Sequence, residues 1–375
     1  MKKIYITKIR IEKVRHLKDI DIELSDTELK HLILTGKNGS GKTSLLESMR
    51  YRIHEMQTFS HKKNNHSIEA TKAQEIGIQF SQDIDDFAAF MFVYIPAKRY
   101  ELIMPQAIES VQLKDKSAIA QNVNRDFFKY ILNLDYRLYG AKTDNNKSLE
   151  ASLSKWFDNF LEALRNIYDC AELELQRDTK NLAFNIKIPG REPFALYEMS
   201  DGYAAFLNII MELLMRLEND EDAEVDYEKS AIVLIDEIEA HLHVDLQKRV
   251  LPFLTKMFPN VQFIIATHSP FVMTSLDNAI VYDLEKNERL EKPSFYSYDT
   301  VIESFLDTSM YSNELKVFFA RYKELCLKNR TPEENDEFLR AKAELEIRAV
   351  PSTELYIEFQ NLENKRRAAK HDTID

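Results

Sequence analysis

The chain has 375 residues, 44% hydrophobic and 30% charged, the balance of a soluble globular protein holding one large α/β domain with a lobe, or two modest domains. Its formal charge of −12, from 50 basic and 62 acidic side chains, excludes a protein that coats nucleic acid over its whole surface but leaves room for a local basic groove. Cys170 and Cys326 lie far apart without CxxC or Cys/His spacing, which excludes a disulfide framework or a zinc site and predicts two packing residues.

The N-terminus alternates as a strand and lacks the continuous apolar core and small-residue cleavage site of a signal peptide. No apolar stretch approaches the roughly 20 residues needed to span a bilayer. The expected location is therefore the cytoplasm, with no membrane partner. Residues 3–9 and 19–24 alternate apolar and polar and predict two antiparallel strands, forming a sheet beside the phosphate loop described next. Their surroundings hold Lys2, Lys3, Lys8, Arg10, Lys13, Arg15 and Lys18 against Glu12 alone: a solvated face of edge strands, or a face that touches DNA.

Only 7 residues are glycine, where average usage gives about 26, yet Gly36, Gly39 and Gly41 fall within the run Gly36-Lys37-Asn38-Gly39-Ser40-Gly41-Lys42-Thr43. Such clustering in a glycine-poor chain points to a backbone need. The run matches GxxxxGKT, in which backbone N–H groups surround the α- and β-phosphates of a nucleotide, Lys42 reaches the β- and γ-phosphates, and the Thr43 hydroxyl ligates Mg²⁺. Gly36, Asn38, Gly39, Ser40, Gly41, Lys42, Thr43 and Ser44 are the expected nucleotide contacts. His31 to Thr35 reads as a buried strand and Ser44 to Arg52 as a helix, so the order strand, loop, helix adds the helix N-terminus to the anion site.

Beyond it, residues 54–74 turn polar and include His61 and His66, read as loop residues rather than metal ligands. GIQF at 77–80 and AAFMFVYIPA at 88–97 are strand-like. Residues 104–168 predict a helical lobe whose aromatic stripe, including Phe127, Trp156 and Phe160, is its core rather than a base-stacking platform. AELEL at 171–175 and LAFNIKI at 182–188 predict a hairpin around a polar turn. SAIVLIDE at 230–237 and VQFIIATH at 261–268 read as strands buried on both faces, joined by a helix from Val244 to Met257 in a βαβ unit. The last hundred residues read as helices broken at Thr331-Pro332 and Val350-Pro351, with Lys365-Arg366-Arg367 in a solvated tail.

Three further motifs carry chemistry. Ile232 to Glu237 is an apolar strand ending in two carboxylates, with Asp236 placed to hold Mg²⁺ and Glu237 to polarise the attacking water. His268, at the tip of the next strand, is placed to touch the γ-phosphate as a neutral imidazole. Ser200-Asp201-Gly202 opens an amphipathic helix and offers a hydroxyl, a close-approaching glycine N–H and a helix N-terminus to an anion. The catalytic set is thus Lys42, Glu237 and His268, and the metal set Thr43 and Asp236.

In this order the motifs resemble the ABC-type ATPase head over residues 1 to about 285. Val14-Arg15-His16-Leu17, Ile95-Pro96-Ala97-Lys98-Arg99 and Asp236 to His243 look like the RecF, SMC and Rad50 branch, and within it like the overcoming-lysogenisation-defect (OLD) and Septu-like anti-phage ATPases of bacteria. The resemblance implies an α/β P-loop fold, a mixed central sheet plus antiparallel strands, with an inserted helical lobe and a C-terminal helical extension. The implied divisions are 1–103 and 169–285 for the core, 104–168 for the lobe and 286–375 for the extension. It implies ATP and Mg²⁺ as cofactors, and Ser200, Asp201 and Gly202 contacting the γ-phosphate held by Lys42 of a second copy, with Glu239 to His243 lining that interface. The chain departs from the pattern at Asp201, where a second glycine is usual, and at Tyr203, where glutamine or glutamate is common. Gln79, Gln82 and Gln106 are candidates for the Q-loop residue, with Arg99 an occupant of the comparable space. No long coiled coil and no acidic nuclease constellation are present, so any cutting of DNA falls to another polypeptide. The expected function is an ATPase that dimerises around ATP and regulates a partner effector, a nuclease, in anti-phage defence or DNA repair. The nucleotide-binding subunit of a membrane transporter and an ATP-stabilised scaffold with little turnover are the alternatives.

Overall fold

Alternation of apolar and charged residues sets the first sheet in the computed structural model, which describes residues 3–60, 75–84, 87, 90–98, 119, 127–178, 180–181, 183–218, 225–226, 229–305, 312–348 and 354–371. Strand β1 (Ile6–Val14) and β2 (Leu17–Glu23) pair antiparallel, burying Ile9, Ile11, Val14, Leu17, Ile20 and Ile22. Both strands exceed the expected spans and meet at a tight Arg15-His16 turn, with Arg15 in the left-handed region at φ 54°. On the outer face Lys8 pairs with Asp21 and Glu23, and Arg10 with Asp21. Two of the seven N-terminal cations are thus answered inside the hairpin.

Strand β3 (His31–Thr35) leads into helix α1 (Lys42–Ser60), which begins inside the glycine run rather than after it. Strand β4 (Glu75–Phe80) pairs with β1, completing a sheet of order β2-β1-β4, and β5 (Met91–Ile95) is wholly buried. His61, His66 and most of the predicted 104–126 stretch lie outside the described residues. Helices α2 (Phe127–Thr143) and α3 (Lys147–Tyr168) pack on each other through Phe127, Trp156 and Phe160. The aromatic stripe is their core. Strands β6 (Glu174–Asp178), β7 (Ala183–Lys187) and β8 (Phe194–Ala195) form a small antiparallel sheet that includes the expected hairpin.

Helix α4 (Asp201–Leu217) is expected to be amphipathic but is buried from Ala205 to Leu217 without interruption. It even encloses an ion pair, Glu212 to Arg216 at 2.7 Å, whose side chains are 1% and 0% exposed. A buried charge of this kind survives only beside its partner.

Strand β9 (Ala231–Ile235), helix α5 (Val244–Met257), strand β10 (Val261–Ala266), the short helix α6 (Pro270–Met273), and strands β11 (Ala279–Asp283) and β12 (Glu288–Glu291) complete the large sheet. Its order is β12-β11-β3-β10-β9-β5, with β12 antiparallel at the edge and the other strands mutually parallel. Every residue of β3, β5, β9, β10 and β11 is buried. Such runs need covering on both faces. Parallel pairing gathers the C-terminal ends of β3, β9 and β10 at one rim, where ligands bind in open α/β sheets.

The chain divides into two compact units, residues 1–301 and 302–375; helix α7 (Tyr298–Phe305) spans the boundary. In the second unit, α8 (Asn313–Cys326), α9 (Pro332–Arg348) and α10 (Glu354–His371) enclose Tyr322, Leu325, Phe338, Leu345 and Phe359. Cys326 is buried there, whereas Cys170 is partly exposed near Glu172. Arg366 does not belong to a solvated tail: its guanidinium binds the buried Glu363 at 2.9 Å and lies over the Phe338 ring.

Candidate nucleotide-binding site

The phosphate loop hangs between two rigid ends, the last residue of β3 and the first turn of α1. Gly36, Gly39 and Gly41 take φ of 128°, 88° and 99°, a region closed to most side chains. Lys42 donates to the carbonyls of Gly36 at 2.8 Å and Lys37 at 3.1 Å, so its ammonium closes the loop from inside. Burial lowers the Lys42 pKa against the upward pull of Glu239, Asp236, Glu237 and Asp283. The β1–β2 turn roofs the loop: His16 Nε2 is 3.2 Å from the Ser40 carbonyl, and a Cβ on Gly41 would meet Leu17 at 3.0 Å. A cavity of about 240 Å³ results, lined by Arg15, Asn38, Lys42, Thr43, Glu237 and His268 among others.

The second and third motifs arrive on adjacent strands. Asp236 and Glu237 follow β9 directly, and Asp236 is only 3% exposed. The Thr43 hydroxyl donates to Asp236 Oδ1 at 3.2 Å, bringing together two hard oxygen donors of the kind Mg²⁺ takes. The residues present fit that ion. Glu237 sits at φ 45°, a strained conformation for a non-glycine residue and one that clusters at functional sites. His268 follows β10, and its pKa is lowered by burial first and by the charge of Lys42 second, which keeps the imidazole neutral at pH 7. Glu239, which the resemblance also places along an interface with a second copy, accepts from the Thr267 hydroxyl at 2.7 Å and the His268 amide at 2.5 Å, fixing the histidine.

Ser200, Asp201 and Gly202 are not brought to Lys42. Ser200 and Gly202 line a separate cavity of about 650 Å³ with Tyr168, Tyr203, His241 and Arg249, and the two cavities share no lining residue. Ser200 is the N-cap of α4, yet its hydroxyl makes no capping bond. Gly202 is required by packing, because a Cβ would stand 2.7 Å from the His241 carbonyl. Tyr203, the departure from the family pattern, stacks on Tyr168 at 4.1 Å. Arg249 donates to the Asn166 and Ile167 carbonyls, tying the end of α3 to α5.

Of the Q-loop candidates, Gln79 lies on β4 and Gln82 lines a third cavity, of about 810 Å³, with Tyr5 and His31. Gln106 and Arg99 fall outside the described residues. Reading by motif gave Arg15 and His16 no place in the nucleotide cavity; the signal available was their position between two alternating strands.

Similar proteins point the same way. The retron Ec83 probable ATPase of Escherichia coli is 28% identical over 188 residues, 48% of this chain and 33% of that protein. The Septu protein PtuA of Bacillus mycoides (strain KBAB4) is 24% identical over 366 residues, 89% of this chain and 49% of that protein. The chain thus spans a third to a half of the length of these relatives. Among solved structures, the SMC head domain from Thermotoga maritima aligns with a TM-score of 0.37 and 14% identity, covering 74% of this chain and 94% of that one, a likeness too slight to argue from. The family model described as "AAA domain, putative AbiEii toxin, Type IV TA system" matches residues 55–274, beginning just past the phosphate loop. That match covers more than half of the chain, which therefore belongs to this AAA-domain family of ATPases.

Proposed function

We propose that the chain is an ATP-driven clamp in which two copies close around two ATP molecules and hydrolysis reopens them. The observation that carries this reading is the separation of the site into two cavities with no common residue: Lys42, Thr43, Glu237 and His268 line one, Ser200 and Gly202 the other. One nucleotide in one copy meets only the first set. Contact with the second set requires the γ-phosphate held by Lys42 of another copy.

Within each copy the loop N–H groups and Lys42 bind and orient the phosphates. Thr43 and Asp236 would hold Mg²⁺, which when bound neutralises charge developing on the phosphate oxygens. Glu237 takes the proton of the attacking water, and neutral His268 donates a hydrogen bond to the γ-phosphate. Ser200 to Gly202 of the second copy supply a hydroxyl and free helix N–H groups to the same phosphate. Opening and closing then gates a separate effector in the cytoplasm, a nuclease in anti-phage defence. The resemblance to OLD and Septu-like ATPases and the retron and Septu names of the relatives support that role.

Light scattering on wild type and Glu237→Gln, with and without Mg-ATP and alongside phosphate release, tests the clamp. ATP should raise the mass of Glu237→Gln and hold it there, with turnover down by about 10²–10⁴, the usual worth of a general base. A mass indifferent to nucleotide would remove the clamp.

A further inference from the structure

A polar bridge joins the histidine strand to the segment that packs on Gly202, and it runs through one side chain absent from every motif above. Gln247, near the start of α5, is half-buried with both ends of its amide engaged. Its Oε1 accepts from the Ser269 hydroxyl at 2.6 Å, and its Nε2 donates to the Leu242 carbonyl at 2.7 Å. Ser269 follows His268 directly, is 5% exposed, and also accepts from Val272 N at 3.2 Å to cap α6. Leu242 follows His241, whose carbonyl closes on Gly202 and whose φ is 68°.

We infer that Gln247 is a positioning residue that couples the histidine side of the nucleotide cavity to the Ser200 side. The inference rests on the clamp reading and names its internal linkage. Chemistry fixes the direction of the amide, since a hydroxyl that needs an acceptor stands at one end and a carbonyl that needs a donor at the other. Glutamate satisfies only Ser269, and leucine satisfies neither. Glu239 already ties Thr267 and His268 to the residues just after β9, so movement of His268 against a γ-phosphate reaches His241 by two routes. Of the two, only the Gln247 route passes through Ser269 and α5, so it can be broken without touching Glu239. Groups linked in series should lose their effect together when any member is removed.

The test uses the full chain carrying Glu237→Gln, with Gln247→Glu, Ser269→Ala and their combination added, and Gln247→Leu in reserve should Gln247→Glu fail to fold. ATP affinity of the monomer should stay within about two-fold. The protein concentration for half-maximal ATP-driven assembly should rise about ten-fold in each single variant, the scale of one net hydrogen bond, and the double variant should be no worse than the poorer single. Unchanged assembly in Gln247→Glu, or single effects that simply add and track a fall in melting temperature, would overturn the coupling and leave a structural bond. If Glu237→Gln itself gains no mass with ATP, the clamp reading fails by itself. The same Gln247 variants are then read by turnover in the wild-type background. Coupling still demands a lower kcat at unchanged KM, and wild-type kcat would overturn it.

Discussion

The Glu239 carboxylate receives the backbone N–H of His268 at 2.5 Å, across 29 residues of sequence. Its second oxygen takes the Thr267 hydroxyl, so a side chain just past β9 aims the tip of β10. The parallel register of these strands, with Ile235 opposite Ile265, brings them together.

Removing that clamp should slow the chemistry and spare binding. Glu239→Ala is expected to lower kcat by about ten-fold or more, since hydrogen bonds to a charged acceptor are worth about 1.5–3 kcal/mol, while ATP affinity stays near wild type. Parallel phosphate-release and nucleotide-titration measurements check this. An affinity that collapsed with kcat would assign Glu239 to nucleotide binding instead.

Gly202→Ala should separate nucleotide binding from assembly. The new methyl group would stand 2.7 Å from the His241 carbonyl, a backbone atom that must move. A destabilisation of about 1–3 kcal/mol is the usual scale for overpacking. ATP titration should be unaffected and the ATP-dependent mass change lost. Normal assembly in this variant would show that the His241 segment yields freely.

Acid should reveal His268 late. Its pKa is lowered by burial and by Lys42, so the neutral imidazole persists below the ordinary 6.5 as the solution is acidified. The acid limb of the kcat profile that disappears in His268→Gln should therefore lie below pH 6.5, and a limb above that value would contradict the geometry.

His31 makes a different acid prediction, one about stability. It is buried at the start of β3, its Nδ1 accepts from the Phe263 amide, and burial, with Lys3 and Lys30 nearby, pushes its pKa down to about 4. The unfolded chain binds this proton more readily, so the contribution is intact above pH 6.5, is lost as pH falls through the window, and levels off below about 4. At 1.36 kcal/mol per unit, the loss is about 3 kcal/mol. An asparagine at this position would keep an acceptor without the titration, so denaturant melts of His31→Asn should show a flatter slope against pH than wild type between 6.5 and 4.

In the helical unit 302–375, burial raises the Glu363 pKa, but hydrogen bonds from Arg366, Tyr322 and Lys342 outweigh it and hold the value at about 2. The stabilisation is complete above pH 4.5 and is lost as pH falls toward 2. Glu363→Leu would strand the cations in a carboxylate's place and should cost about 3–5 kcal/mol. Thermal melts followed by circular dichroism would detect it, and an unchanged melt would mean that the cations escape to water.

The phosphate loop, the Asp236-Glu237 pair and His268 were legible because each stands at the end of an apolar run, where a buried strand must stop. Ser200 to Gly202 were singled out only through their order in the chain, and the fold places Ser200 and Gly202 at a cavity apart from Lys42. Glu239 and Gln247 were not legible, because Thr267 and Ser269, their partners, lie more than 20 residues downstream and meet them only after β9 and β10 pair. Arg366 was misread as solvated because its local sequence holds only charge, whereas Phe338 and Glu363 provide a place for it in the folded unit. The early start of α1 and the longer β1 show tertiary support overriding local pattern, since β1 is flanked on both sides by β2 and β4.

Under the proposed clamp, the two cavities without a common residue also determine how damaged copies behave in a mixture. Lys42→Ala lacks the first half of a site and Ser200→Ala weakens the second. A pair made of one of each holds one intact composite site and one doubly broken site. With random pairing at equal amounts half of the pairs are mixed, so the two weakened preparations would regain up to a quarter of normal activity when combined, whereas an excess of either would leave each wild-type copy its one intact site.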